Sequence, residues 1–186
     1  SLTISGGGAD GYAQWSSGDT TAKKEYMTAP DCLYFHGSST STRTLKSTIS
    51  ATVAGPGTFT FYASSKLSMN GNGSDKTLGN PQCSVVFTAK NSSGQQISTQ
   101  TIPCSSTTKT GYKAYSVNLP SGNNTLTWEG SWQDPVANTW NVGNVYIDKF
   151  LLEKNVAATI PIAKITTSSL QPDRATVSAQ VTDKAG

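Results

Sequence analysis

The chain has 186 residues and a formal net charge of +3, with 51 Ser or Thr against only 14 Lys or Arg and 11 Asp or Glu. Sixteen aromatic residues, four of them Trp, exclude a disordered chain, and the Ser/Thr-rich composition excludes coiled coils and helical bundles. The basic residues are scattered, Lys23-Lys24 being the tightest cluster, which excludes a phosphate-tracking stripe and with it nucleic acid. No apolar run exceeds VVF or FLL, so no membrane insertion is expected, and any export signal lies outside this chain.

Period-2 alternation between turn residues predicts short antiparallel strands. In chain order they are 2–5, 12–15, 32–36, 44–53, 58–64, 84–90, 95–102, 112–119, 124–132 and 144–153. Ten strands joined by turns such as AGPG, NSSG and PSGNN predict an all-β, two-sheet antiparallel jelly-roll-like sandwich over residues 1–154. Residues 155–186 then read as a linker, VAATIP, and one alternating strand, ATVSAQVTD. The expectation is an incomplete start of an immunoglobulin-like or fibronectin-like module, within a longer modular protein.

Two of the three cysteines bracket a predicted hairpin. A turn at NSSG sets Lys90 opposite Gln95, and a two-residue slip from a bulge would bring Cys83 opposite Cys104, close enough for a disulfide. The alternative is a pair of buried thiols. Cys32, in CLYFH, reads as a core residue, and a disulfide would fit an extracellular setting.

The inventory of reactive groups argues against an enzyme. A single histidine, His36, in an alternating aromatic run, excludes multi-histidine zinc sites and offers no support for a Ser-His-Asp triad. The glycine-rich GNGSDKT lacks P-loop spacing. Glu129 and Asp148, on adjacent predicted strands, are a weak signal for a hydrolytic carboxylate pair, and no catalytic residue is expected. A structural calcium site using Asp10, Asp19 or Asp148 is the one cofactor these residues would suit.

The aromatic pattern is more informative. Trp128 shares a strand face with Leu126 and reads as core. Trp132 and Trp140 flank a polar segment carrying Gln133, Asp134, Asn138 and Asn141. A solvent-facing indole stacks on the apolar C–H face of a pyranose while amides and carboxylates bind its hydroxyls, so these six residues form the first candidate ligand site. Packing of both indoles at the end of the sandwich is the competing reading. Tyr12 and Trp15, after SGGGADG, form a second candidate. N-x-[ST] sites at Asn72, Asn91 and Asn123 would carry glycans only in a eukaryotic secretory pathway.

The stretch YSVNLPSGNNTLTWEGSW, followed by NVYIDKFLLEK, resembles the closing strands of bacterial extracellular jelly-roll carbohydrate-binding modules. Gly122, Asn123, Leu126 and Trp128 match one strand of that pattern, and Val145, Tyr146, Ile147 and Asp148 match the other. The resemblance implies a non-catalytic, secreted or cell-surface domain that tethers a larger protein to polysaccharide, with a lean toward starch among the glucans. The alternative is a structural or adhesin β-sandwich of a bacterial surface protein.

Overall fold

The alternating runs become ten strands in the computed structural model, which describes residues 2–6, 11–15, 27, 32–38, 44–68, 82–106, 108–133, 142–155, 162–171 and 174–182. They are β1 (Leu2–Gly6), β2 (Gly11–Trp15), β3 (Leu33–Ser38), β4 (Thr44–Ser68), β5 (Gln82–Lys90), β6 (Gln96–Pro103), β7 (Lys113–Gln133), β8 (Val142–Glu153), β9 (Ile162–Gln171) and β10 (Arg174–Thr182). Every described pairing is antiparallel, and no helix occurs among the described residues. The chain divides into two units, Ser1–Lys154 and Asn155–Gly186. The second unit is a hairpin of β9 and β10, paired from Thr182 opposite Ile162 to Arg174 opposite Gln171 with a register shift between Ala175 and Thr176. The sequence reading found only its second strand, because the apolar residues of IAKITTSSLQ do not alternate whereas Ala175, Val177, Ala179 and Val181 do.

The first unit departs from the expected strand list in one respect. The runs 44–53 and 58–64 are one strand, β4, and the runs 112–119 and 124–132 are one strand, β7. The two stay hydrogen-bonded to each other through a shared corner, where Gly55 lies opposite Gly122 and Gly57 opposite Leu119. Neither AGPG nor PSGNN therefore interrupts the ladder. On one side of the corner, 44–55 and 122–133 join β1, β5 and β6 into a first sheet. On the other, 57–68 and 113–119 join β8, β3 and β2 into a second.

The core fills the space between the sheets. Phe61 of the second sheet meets Phe87 and Trp128 of the first, with ring centroids at 4.8 and 5.4 Å. Leu33, Ile49, Leu126, Val145 and Ile147 complete the layer with no exposed surface. Each buried side chain of this size stabilises the fold by about 1.5–3 kcal/mol. Glycines let the sheets approach where the largest rings lie. A Cβ on Gly37 or Gly143 would come within 2.6 Å of the Trp132 side chain, and one on Gly130 would run into the Phe35 ring.

The β5–β6 hairpin turns at Asn91, whose Oδ1 accepts from the Ser93 and Gln95 N–H groups at 3.1 and 2.9 Å, while Gly94 takes a φ of +82°. Lys90 pairs with Gln96, and a bulge then sets Ala89 opposite Ser98 and Ser84 opposite Pro103. Continuing that register puts Cys83 opposite Cys104, and the Cys104 N–H donates to the Cys83 carbonyl at 3.2 Å. The two are separate thiols in this structure and no disulfide joins them.

At the corner, Asn124 is completely buried. Its Nδ2 donates toward the Pro120 and Gly122 carbonyls at 3.0 Å each and the Val53 carbonyl at 3.4 Å. These bonds tie both strands where they change layer, and Gly122 makes the turn at a φ of +97°. Asn124→Ala strands these carbonyls and should cost about 2–3 kcal/mol, lowering the thermal midpoint by roughly 4–12 °C. Thermal unfolding followed by circular dichroism checks it, and an unchanged midpoint would show that the corner holds without Asn124.

Candidate functional site

Strict alternation sorts the second sheet into an inward and an outward set. Leu33, Phe35, Phe61, Ala63, Val145 and Ile147 point into the core. The residues between them, Tyr34 and His36 on β3, Tyr62, Ser64 and Lys66 on β4, and Asn144, Tyr146 and Asp148 on β8, point outward. Pairing brings them into rows, because Tyr34 lies opposite Tyr146 and Tyr146 opposite Ser64, while His36 lies opposite Asn144 and Asn144 opposite Lys66.

The rows are knitted by polar and ring contacts. The Tyr34 and Tyr146 rings are tilted at 6.3 Å. His36 Nδ1 and Asn144 Oδ1 are 2.9 Å apart, which suits the tautomer whose Nδ1–H donates to the amide oxygen. Residues 104–106 and 108–112 run beside β4. The Thr110 N–H donates to the Ser65 carbonyl at 2.9 Å, and Ser64 Oγ donates to the Thr110 carbonyl at 2.7 Å. That docking brings Lys109 Nζ over two rings, 5.6 Å from Tyr112 and 5.4 Å from Tyr146. Tyr146 is thereby buried to 9% exposure, while Tyr34, His36, Tyr62 and Tyr112 remain half-exposed.

Asp148 shapes the far end of this face. Its carboxylate is 6% exposed and accepts from two backbone N–H groups, Met27 at 2.7 Å and Lys149 at 2.6 Å. Lys149 has a φ of 53°, and the β4–β8 register slips between Thr60 and Tyr62 at the same place. The bulge turns Lys149, which plain alternation would point inward, so that its Nζ lies 5.2 Å from the Tyr62 ring centroid. The result is a sheet surface of half-exposed tyrosines interleaved with an imidazole, an amide, a hydroxyl and ammonium groups. It can stack an apolar ring face and hydrogen-bond a rim of hydroxyls at once.

The residues singled out from sequence fall elsewhere. Trp132 is 3% exposed and packs in the core against Gly37 and Gly143, which corrects its expected role as a surface platform. The reason lies in the alternation itself: Leu126, Trp128, Gly130 and Trp132 occupy one face of β7, and that face is the inner one. Gln133 is exposed at the end of the same strand. Asp134, Asn138, Trp140 and Asn141, and likewise Asp10 and Asp19, lie outside the described residues. Tyr12 and Trp15 are placed by backbone register, Tyr12 opposite His36 and Trp15 opposite Leu33. Glu129 is on the first sheet, bridged to Lys46 at 2.9 Å, and so does not pair with Asp148. Among the described residues no three His, Cys, Asp or Glu side chains converge as a metal site.

A concavity of about 360 Å³ opens at the sandwich edge between β6 and β7. Its floor is spent on internal bonds, with Ser64 Oγ on the Thr110 carbonyl and Ser65 Oγ on the Pro103 carbonyl at 2.9 Å. Tyr115 on its wall is stacked flat on Phe61, interplanar angle 10°, and burial raises its phenol pKa. The tyrosine face keeps more polar groups half-exposed.

No protein-family profile and no curated protein matches the chain. Solved structures do align with it. One is a family 61 carbohydrate-binding module in complex with β-1,4-galactotriose, with a TM-score of 0.49 and 10% identity over 83% of this chain and 88% of that one. Another is the CBM22-1 xylan-binding domain from Paenibacillus barcinonensis, with a TM-score of 0.40 and 12% identity over 83% and 87%. A third is the enzymatically active domain of bacteriophage CBA120 tailspike protein 4, with a TM-score of 0.41 and 10% identity over 81% of this chain and 19% of that one.

Proposed function

We propose that the outward face of the second sheet binds a polysaccharide without catalysis, and that the chain thereby tethers a larger extracellular protein to it. The observation that carries this reading is the set of half-exposed tyrosines, Tyr34, Tyr62 and Tyr112, ranged beside His36, Asn144 and Lys66. Large aromatic groups kept at a surface with polar groups at their rims suit a ligand with an apolar face and many hydroxyls. Tyr12, at the register position opposite His36, extends the row onto β2. Trp140 and its neighbours Asp134, Asn138 and Asn141 stand as the rival location for the same activity.

Affinity electrophoresis through native gels containing starch, pullulan, β-glucan, xylan or β-1,4-galactan tests the reading. Starch is included for the lean of the sequence resemblance, and a chelator in parallel gels reads any calcium dependence through Asp10 or Asp19. Retardation is expected in at least one gel. Tyr34→Ala and Tyr62→Ala should each remove about 1–2 kcal/mol of binding, a roughly 5- to 30-fold loss, with the thermal midpoint unchanged. Loss of binding in Trp140→Ala alone would move the site to the segment after β7. Free migration in every gel would contradict polysaccharide binding and favour the structural or adhesin reading.

A further inference from the structure

Among the described residues, the charged groups that lie against the tyrosines of this face are ammonium groups. Lys149 lies over Tyr62, Lys109 over Tyr112 and Tyr146, and Lys66 stands outward beside Asn144. Among the described residues the acid nearest the tyrosines, Asp148, is buried with its oxygens on the Met27 and Lys149 N–H groups, and the other outward acid of this sheet, Glu153, is at its far end opposite Thr58.

A bulge with a left-handed backbone residue carries Lys149 to this face, and a docked segment carries Lys109. An ammonium held over a ring is oriented and partly stripped of water, which strengthens its pull on an anion.

We infer that the polysaccharide bound here is anionic, a polymer of uronic acids or sulfated sugars, with ring faces against Tyr34 and Tyr62 and its acidic groups on Lys66, Lys109 and Lys149. This rests on the glycan-binding reading above and names the chemical class of its ligand. Isothermal titration calorimetry would compare polygalacturonate with the same polymer after methyl esterification of its carboxyls, at low and high salt. A sulfated galactan, neutral β-1,4-galactan and duplex DNA complete the set.

Binding is expected to an anionic glycan, to be lost on esterification if the ligand is the uronate, and to weaken as salt screens the lysines. K66M and K149M should each weaken it about tenfold, whereas K46M on the opposite sheet should not. Salt-independent binding to neutral galactan or to the esterified polymer would overturn the assignment and leave the glycan-binding reading intact. Equal affinity for DNA would mark a general polyanion surface and overturn it too. Binding to no polysaccharide would overturn both readings.

A separate observation concerns Cys83 and Cys104. They are opposite one another beside the β5–β6 hairpin and hydrogen-bonded thiol to thiol, and Cys104 Sγ also lies 3.6 Å from the Lys66 and Asn144 carbonyls. The geometry points to a dithiol that closes to a disulfide when a small disulfide such as oxidised glutathione accepts its electrons. Two S–H bonds and the reagent's S–S bond break, one S–S bond forms between Cys83 and Cys104, and the two electrons and two protons pass to the reagent, which leaves as two thiols. Cys83 is half-buried and Cys104 buried, so Cys83 is the thiol that the reagent reaches and Cys104 the one that closes the bond.

Intact mass and thiol counting in denaturant after incubation with oxidised glutathione test this. Loss of two hydrogens, one remaining titratable thiol and a mapped 83–104 crosslink are expected, and C104S should abolish the crosslink. Three titratable thiols, or glutathione adducts without a crosslink, would overturn it.

Discussion

Two strands that each belong to both sheets are the constraint on which the rest of the unit depends. β4 and β7 pair along nearly their whole length, change layer at the same corner, and leave β5 and β6 on one side and β8, β3 and β2 on the other. A ladder that turns a corner must satisfy its backbone groups where regular pairing fails. Asn124 does so from a fully buried position, aiming one amide at carbonyls of both strands, and Gly122 supplies the backbone conformation. The register of β4 then determines which residues of β8 and β3 lie beside it, and hence the composition of the outer face.

The division of aromatic residues follows from this arrangement. Phe59, Phe61, Phe87, Trp128 and Trp132 fill the space between the sheets, with glycines at 37, 130 and 143 making room for the bulkiest contacts. Tyrosines take the outward positions of β3, β4 and β8, where a phenol can keep its hydroxyl wet. Asp148 shapes the outer face from a buried position. Its carboxylate holds the bulge that transfers Lys149 from the inner to the outer side of β8, a change that one regular residue more or less would undo.

Much of this was legible in the sequence, and the failures have physical reasons. Alternation located all eight strands of the first unit, and the Cys83–Cys104 register was reached from turn length, with the hairpin achieving it through a longer turn and a single bulge. Alternation also held the correction for Trp132, since counting by twos from Trp128 places it inward. What drew attention to Trp132 was the polar text after it, a local cue that strand periodicity outweighs. The tyrosine face was harder to see. Tyr34, Tyr62 and Tyr146 are each ordinary outward residues of separate strands, and only the non-local pairing of β3 with β8 and β8 with β4 makes them neighbours. Lys149 was hidden further, because a bulge breaks the very period used to read the strand.

The central claim is that ligand contacts this face and not the segment following β7. Hydroxyl-radical footprinting of the chain, with and without a saturating amount of whichever polysaccharide retards it, reads side chains at both places in one experiment. The expected result is protection of Tyr34, His36, Tyr62 and Tyr112 with Trp140 unchanged. Protection confined to Trp140 and its neighbours, with the four face residues oxidised as in the unliganded chain, would contradict the account.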